Sequence, residues 1–352
     1  MKARDFKYLF AYAIPTGTLI SLYSSGWMSY FTVILVFFII PVLELFAPRF
    51  TTNFTEKEQE SRQDILYFDF LLFGNILWVA GILIIFFQQV SENEWSMSDW
   101  AGKTLSVGIM LGSNGINVAH ELGHKKGVWH QWAARLLLWP CLYSHFTTEH
   151  NFGHHVRVGT PEDPATSRLG ENIFAFWLRT ITGSFISAWK IRLQHLAVRK
   201  NITALIYHPF VEFIAWPLLY LGCVGYFFGN SVVVSAVIVS FISVLLLETI
   251  NYIEHYGLTR HKNENGRLQT VESFHSWNSD HEVGRVLLYE LTRHSDHHYK
   301  AYKKYQNLDH HDNSPQLPFG YPTSILMALI PPVWFQLMNP LVQQWQQKYN
   351  NP

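Results

Sequence analysis

Two cysteines in 352 residues, Cys141 and Cys223, stand far apart and form no Cys-x-x-Cys pair. That excludes a thiolate-bound iron site and a disulfide framework. Charge is scarce as well: Asp, Glu, Lys and Arg make up 15% of the chain, against roughly 25% in a soluble domain. The 26 basic and 26 acidic side chains cancel, so no polyanionic partner such as nucleic acid is implied. No cleavable signal peptide is expected, because the first apolar stretch lacks a small-residue cleavage site and long apolar runs follow it. What abounds is apolar: 49% hydrophobic and 16% aromatic residues, the make-up of a helical bundle in lipid with Trp and Tyr anchors at its interfaces.

A membrane-crossing helix needs about 20 mostly apolar residues. Six stretches qualify in differing degree: 8–23, 30–46, 68–87, 105–119, 210–228 and 232–249. The fourth is short and carries Ser, Asn and Gly, and the last two are parted by a turn at Gly229-Asn230. The apolar stretch 136–146 is interrupted by Pro140 and reads as a re-entrant or interfacial helix. Residues 174–198 mix aromatics and aliphatics with Arg and Lys, as an interfacial amphipathic helix does. Residues 48–66, the most polar stretch, read as a mobile loop. Six crossings place both termini on one side together with 47–67, 120–206 and 251–352. Every Lys and Arg except Lys103 falls in those regions, which makes that side the cytoplasm. The expectation is one membrane-embedded unit over 1–352: an all-α, six-helix bundle in the inner (plasma) membrane, its active site facing the cytoplasm.

Nine of the eighteen histidines fall in four tight groups: His120-Glu-Leu-Gly-His124, Glu149-His150-Asn-Phe-Gly-His154-His155, Glu254-His255-Tyr-Gly and His294-Ser-Asp-His297-His298. Histidine is the commonest metal ligand, and spacings of three and four put successive imidazoles on one helix face. His120 and His124 form such a pair. His150 and His154 repeat it with His155 alongside, so one helix could serve two metals. His294, His297 and His298 do the same, and His255 follows the sixth stretch at the depth of a bundle-core metal. Nine imidazoles exceed the four ligands that one zinc takes, so two metals are expected. Glu121, Glu149, Glu254 and Asp296 flank the groups and are expected to orient the imidazoles from behind. Direct ligation is the rival reading, though soluble di-iron bundles supply carboxylates at other spacings. The other nine, His130, His145, His195, His208, His261, His275, His281, His310 and His311, read as ordinary polar residues. His310-His311 would cap a turn, and His145 lies nearest a cluster.

Residues 120–124 also match the zinc-protease pattern His-Glu-x-x-His. A protease needs one further ligand and would leave the remaining clustered histidines without a task. A metal transporter or sensor would need charged groups inside the crossings to form an ion path. The six stretches contain no Lys or Arg, and Glu44, Asp69 and Glu248 lie near their ends. Imidazole suits zinc, copper, iron and nickel alike. A site reached from lipid suits an apolar substrate, for which hydrolysis has no purpose, whereas oxygen activation by iron attacks unactivated C–H bonds. Two Fe ions with O2 as co-substrate are therefore the physical choice.

On these residues the sequence resembles the membrane-bound alkane 1-monooxygenases, within the histidine-box class of fatty acid desaturases and hydroxylases. The matching segments are His-Glu-Leu-Gly-His-Lys (120–125), Glu-His-Asn-Phe-Gly-His-His (149–155) and Leu-Thr-Arg-His-Ser-Asp-His-His (291–298). Most discriminating is Asn-Tyr-Ile-Glu-His-Tyr-Gly-Leu (251–258), which looks like the signature separating alkane hydroxylases from desaturases. Thr-Pro-Glu-Asp-Pro-Ala (160–165), His-Ser-Trp-Asn-Ser (275–279) and Pro-Gln-Leu-Pro-x-Gly-Tyr-Pro (315–322) extend the likeness, which is dense over 100–340. Thr292 stands where the family usually carries Gln. The resemblance implies a di-iron site held by the nine clustered histidines, inserting one oxygen atom from O2 into the terminal methyl of a medium- or long-chain alkane to give a 1-alcohol. It further implies electrons from rubredoxin, a separate protein, fed by rubredoxin reductase. The same fold could instead hydroxylate alkyl-aromatic methyl groups, or hydroxylate or desaturate fatty acyl chains.

Overall fold

A backbone in lipid must satisfy its hydrogen bonds internally, which drives long apolar runs into helix. The computed structural model describes residues 2–47, 49–198, 206–261 and 265–349, and every expected crossing stretch within them is helical. No strand forms among the described residues, only isolated bridges between Arg49 and His281 and between Asn278 and Gln316. In chain order, α1 covers 3–23 and begins as 3-10 turns. It is followed by α2 (Gly26–Phe46), α3 (Glu56–Gln63), α4 (Leu66–Glu92), α5 (97–124) and α6 (Val128–Leu138). Then come α7 (146–157), α8 (Ile173–Val198), α9 (Val211–Phe228) and α10 (Asn230–His255). The short α11 (Glu282–Leu287) and α12 (His294–Tyr299) precede α13 (Tyr321–Ala328) and α14 (Pro331–Tyr349).

Four of these helices, α2, α4, α9 and α10, are long and apolar enough to cross a membrane, and α13 with α14 would qualify only as one pair bent by 118°. The expected first and fourth crossings, α1 and α5, do not pass that test. For α5 the cause is its position. It packs against α1, α4 and α10, and its Ser106, Ser113, Asn114 and Asn117 are buried among them. The Asn114 side chain donates to the Ala11 carbonyl (3.1 Å) and to Asn75 (2.8 Å), and the Lys103 ammonium to the Leu22 carbonyl (2.8 Å). A helix wrapped by helices can carry polar groups that serve as partners rather than costs. On the apolar helices, by contrast, Phe38 and Leu77 are 66% and 78% exposed, as lipid-facing side chains would be.

Glycines set the closest approach. A Cβ added to Gly108 of α5 would lie 2.5 Å from Ile242 of α10, and one on Gly112 would lie 2.9 Å from Leu246. Gly229, at φ +99°, makes the tight link from α9 to α10. The stretch 136–146, expected as a re-entrant or interfacial helix, is not one helix: α6 stops at Leu138 and the chain turns through Pro140, whose ring cannot continue it, with Leu142 in the left-handed region. Residues 174–198 are helical, as expected. The loop expected over 48–66 is not one throughout. Thr55 and Glu58 form a capping box that starts α3, and buried Arg62 pairs with Asp5 and donates to the Gln306 carbonyl (3.1 Å).

Candidate metal centre

All nine clustered histidines come together where the C-terminal ends of α5 and α10 meet α7 and α12. They fall into two sets: His120, His124, His150, His155 and His297 in one, His154, His255, His294 and His298 in the other. Within each set the potential ligand atoms lie within 4.8 Å of one another. In the five-histidine set the Nε2 atoms converge. His120 and His297 approach to 2.9 Å, His120 and His124 to 3.2 Å, His150 and His155 to 2.9 Å, and His155 and His297 to 3.1 Å. Two nitrogens each about 2.1 Å from one ion lie roughly 3.0–3.4 Å apart, so this set could hold a metal with little rearrangement. In the four-histidine set the Nε2 atoms of His255 and His294 are 3.1 Å apart.

The spacing of the second cluster misleads. His150 and His154, four apart, belong to different sets, whereas His150 and His155, five apart, share one. The reason is a π turn over His150–His154, whose wider coil brings residues five apart onto one face. α7 thus gives two imidazoles to one set and one to the other. α12 divides likewise, His297 going one way and His294 with His298 the other.

Burial first, and then the neighbouring imidazoles, hold His150, His155, His294, His297 and His298 far below the ordinary histidine range. They are neutral at pH 7, the form that binds a metal. Asp163 accepts from Nδ1 of His154 at 2.8 Å and from the Thr166 hydroxyl at 2.6 Å. Burial would push its carboxyl up, but these partners hold it below the usual carboxylate range. His154 is thereby fixed with Nε2 free, and that nitrogen has no protein partner although it is buried.

The flanking carboxylates behave less uniformly than expected. Glu254 does not stand behind an imidazole: its Oε2 lies 3.2 Å from Nε2 of His294, the nitrogen that also meets His255. Tyr321 donates to its other oxygen (2.7 Å) and turns it inward. Glu121 accepts from the Tyr305 backbone (3.4 Å) and lies 3.8 Å from Lys125. Glu149, pushed up to about 7 by burial, pairs with Arg157 at 2.7 Å. Asp296 accepts from Lys303 and His311, each at 2.7 Å, so His311 braces a carboxylate, and His310 meets Asp280 at 2.8 Å. His145 is buried beside the site but joins neither set. Asp163 was missed as a partner because only the turn after α7 folds it back onto His154.

In front of both sets lies a small cavity lined by His120, His150, His294, Leu247, Ile250 and Asn251. Ile250 also lines a second, apolar pocket walled by Ile14, Val36, Ile40, Leu246 and Ile325. The arrangement offers a nitrogen-rich metal site on one side and a hydrocarbon-lined space on the other.

The fatty acid desaturase family matches residues 98–325, a range that takes in all four histidine groups. The chain is 39% identical to alkane 1-monooxygenase 1 of Pseudomonas aeruginosa over 278 residues, 78% of this chain and 70% of that one. It is 33% identical to alkane 1-monooxygenase 2 of Alcanivorax borkumensis over 354 residues, 98% and 92% of the two chains. It is also 29% identical to the hydroxylase component of a xylene/toluene monooxygenase from Pseudomonas putida over 253 residues, covering 72% and 67%.

Proposed function

The chain belongs to the alkane 1-monooxygenases of the fatty acid desaturase family, and from that membership we propose that it is a di-iron enzyme. It inserts one oxygen atom of O2 into the terminal methyl of a medium- or long-chain alkane and gives the 1-alcohol. The observation that carries this reading is the division of nine clustered imidazoles into sets of five and four beside an apolar pocket. We assign one iron to His120, His124, His150, His155 and His297, and the other to His154, His255, His294 and His298. The crowding of Nε2 atoms and the orphaned Nε2 atoms of His154 and His298 fit metal ligation. When bound, the irons supply the oxygen activation that an unactivated C–H bond requires.

The chain's own residues bind and orient. An alkane presents only apolar surface, worth roughly 0.8 kcal/mol per buried CH2, so the pocket of Ile14, Val36, Ile40 and Leu246 takes the tail. The methyl end lies past Ile250, toward His120, His150 and His294. Asp163 holds His154 and keeps its Nε2 free. Two electrons are consumed per turnover, and with no paired cysteines of its own the chain takes them from a separate rubredoxin served by its reductase. We place the enzyme in the inner membrane with six crossings, α1 and α5 included, and the histidines on the cytoplasmic side.

Iron-loaded membranes containing this chain, supplied with rubredoxin, reductase, NADH, O2 and alkanes of increasing length, should yield 1-alcohols. Absence of alcohol across the series overturns the reading. The relation to the xylene/toluene enzyme favours a second substrate class, alkyl-aromatic methyl groups. Benzylic alcohol from xylene, without alcohol from any alkane, would select it, and an olefinic product would point to a desaturase.

A further inference from the structure

Tyr143, His145, Glu149 and Glu248 are buried titratable groups outside the nine-histidine set, and all four line one small cavity. The same cavity is lined by Ser184, Asn251 and one imidazole from each set, His150 and His154. The Glu248 carboxylate accepts from the hydroxyls of Tyr143 (2.7 Å) and Thr180 (2.8 Å) and from the Asn251 amide (3.1 Å). On α8, Thr180, Ser184 and Ser187 recur four and three residues apart, so they form one polar stripe along a largely apolar helix. At its outer end Arg157, 30% exposed, donates to Ser187 (2.6 Å) and to Glu149 (2.7 Å). At its inner end Asn251 also faces the cavity shared by His120, His150 and His294. Glu149 Oε2 and His145 Nε2 are buried with no protein partner, as groups facing internal water are.

A polar file thus runs from the surface at Arg157 to the front of both histidine sets, and its cavity shares no lining residue with the apolar pocket of Ile14 and Val36. Monooxygenation has a requirement that such a file meets: RH + O2 + 2 e⁻ + 2 H⁺ gives ROH + H2O, with the electrons supplied by the external reductant. Neither proton can come through a hydrocarbon-lined pocket, and the water must leave. Buried acids in a membrane bundle are costly and as a rule functional. Resting on the monooxygenase reading above, we propose that this file delivers the protons and drains the water, with Glu248 carrying the proton to the last step past Asn251.

The test compares the iron-loaded parent with Glu248→Gln, Glu248→Asp and Ser184→Val. It measures iron per chain, alcohol formed per NADH consumed, and the infrared difference spectrum on reduction. With iron retained, Glu248→Gln should cut alcohol per NADH at least about tenfold, with hydrogen peroxide making up the difference, while Glu248→Asp recovers most of the yield. The parent spectrum should show a carboxylic acid band that Glu248→Gln lacks. An unchanged yield, or a lowered yield with the band still present, overturns the proposal. If Glu248→Gln loses iron, Ser184→Val decides: it keeps the carboxylate but breaks the file, and a parent-like yield there refutes it. Should the parent itself make no alcohol, the proposed function fails on its own account and the infrared band alone judges the file.

Discussion

Asp163 and Glu290 show two uses of a buried carboxylate. Asp163 pins His154 by one 2.8 Å hydrogen bond, and such partners typically set metal affinity by about 10- to 100-fold. Asp163→Ala should therefore lose iron from one of the two sites at chelator concentrations that leave the parent loaded. Metal analysis after graded dialysis reads this, and equal retention would deny Asp163 the role. Glu290 serves the scaffold. It follows Tyr289, and both non-glycine residues have positive φ, +51° and +59°, a conformation that costs about 1–3 kcal/mol per residue. Arg285 at 2.6 Å and Tyr8 at 2.7 Å hold the carboxylate in place four residues ahead of His294. Burial alone would raise its pKa, but Arg285, Lys7 and Arg293 bring it to about 2. Because the folded value lies below an unfolded value of about 4.3, the stabilisation is present above that pH and is lost as pH falls toward 2. It amounts to roughly 3 kcal/mol. Glu290→Gln should thus be less stable than the parent at neutral pH, with the gap closing between about pH 5 and pH 2 in thermal melts. A gap that ignores pH would remove the ionic cause.

Among the elements, the α5–α10 contact positions His120 and His124 against His255. Gly108→Ala would gain about 0.5–1 kcal/mol in helix propensity but press a methyl against Ile242, which is 2.5 Å from the added atom. Overpacking costs about 1–3 kcal/mol, so the clash wins and the variant melts lower. Gly108→Ala with Ile242→Gly, which removes both the Cγ2 at 2.5 Å and the Cβ at 2.7 Å from the added atom, should cost less than the two single changes summed, and additive effects would contradict the contact. Helix formation over the six apolar stretches was legible in the sequence because it depends on local hydropathy. What escaped depends on partners distant in the chain or on backbone irregularity. α3 is anchored by Arg62 on Asp5 and Gln306, residues that no local pattern joins to it. The π turn in α7 reassigns His154 and His155 between the sets, and spacing read as a regular helix pairs the wrong residues. The nine histidines stand out by density and spacing, whereas neither Asp163, within the segment 160–165, nor Glu248, at the end of a crossing stretch, carries a local pattern that names its partner.

At the scale of the molecule, four helices among the described residues are long and apolar enough to cross, or five with the bent pair, while the proposed topology needs six. A reporter that works only outside the cytoplasm distinguishes them. Fused after residue 94, between α4 and α5, it should be active, and fused at the C-terminal end of α14 it should be silent. Activity at both points would break the six-crossing arrangement. The two approaches to the histidines also separate by polarity, hydrocarbon from the side of α1, α2 and α10, hydroxyl and carboxylate groups from the side of α8. Substrate and protons need not share a door.

The interleaving of ligands has a mechanical consequence. α7 and α12 each grip both sets, so neither set can widen, tilt or empty without dragging the other through two short, stiff pieces of chain. The pair acts as a caliper whose jaws are set by backbone pitch, so the spacing of the two imidazole sets is a property of the fold. An ion entering the first set would shape the second before its own ion arrives.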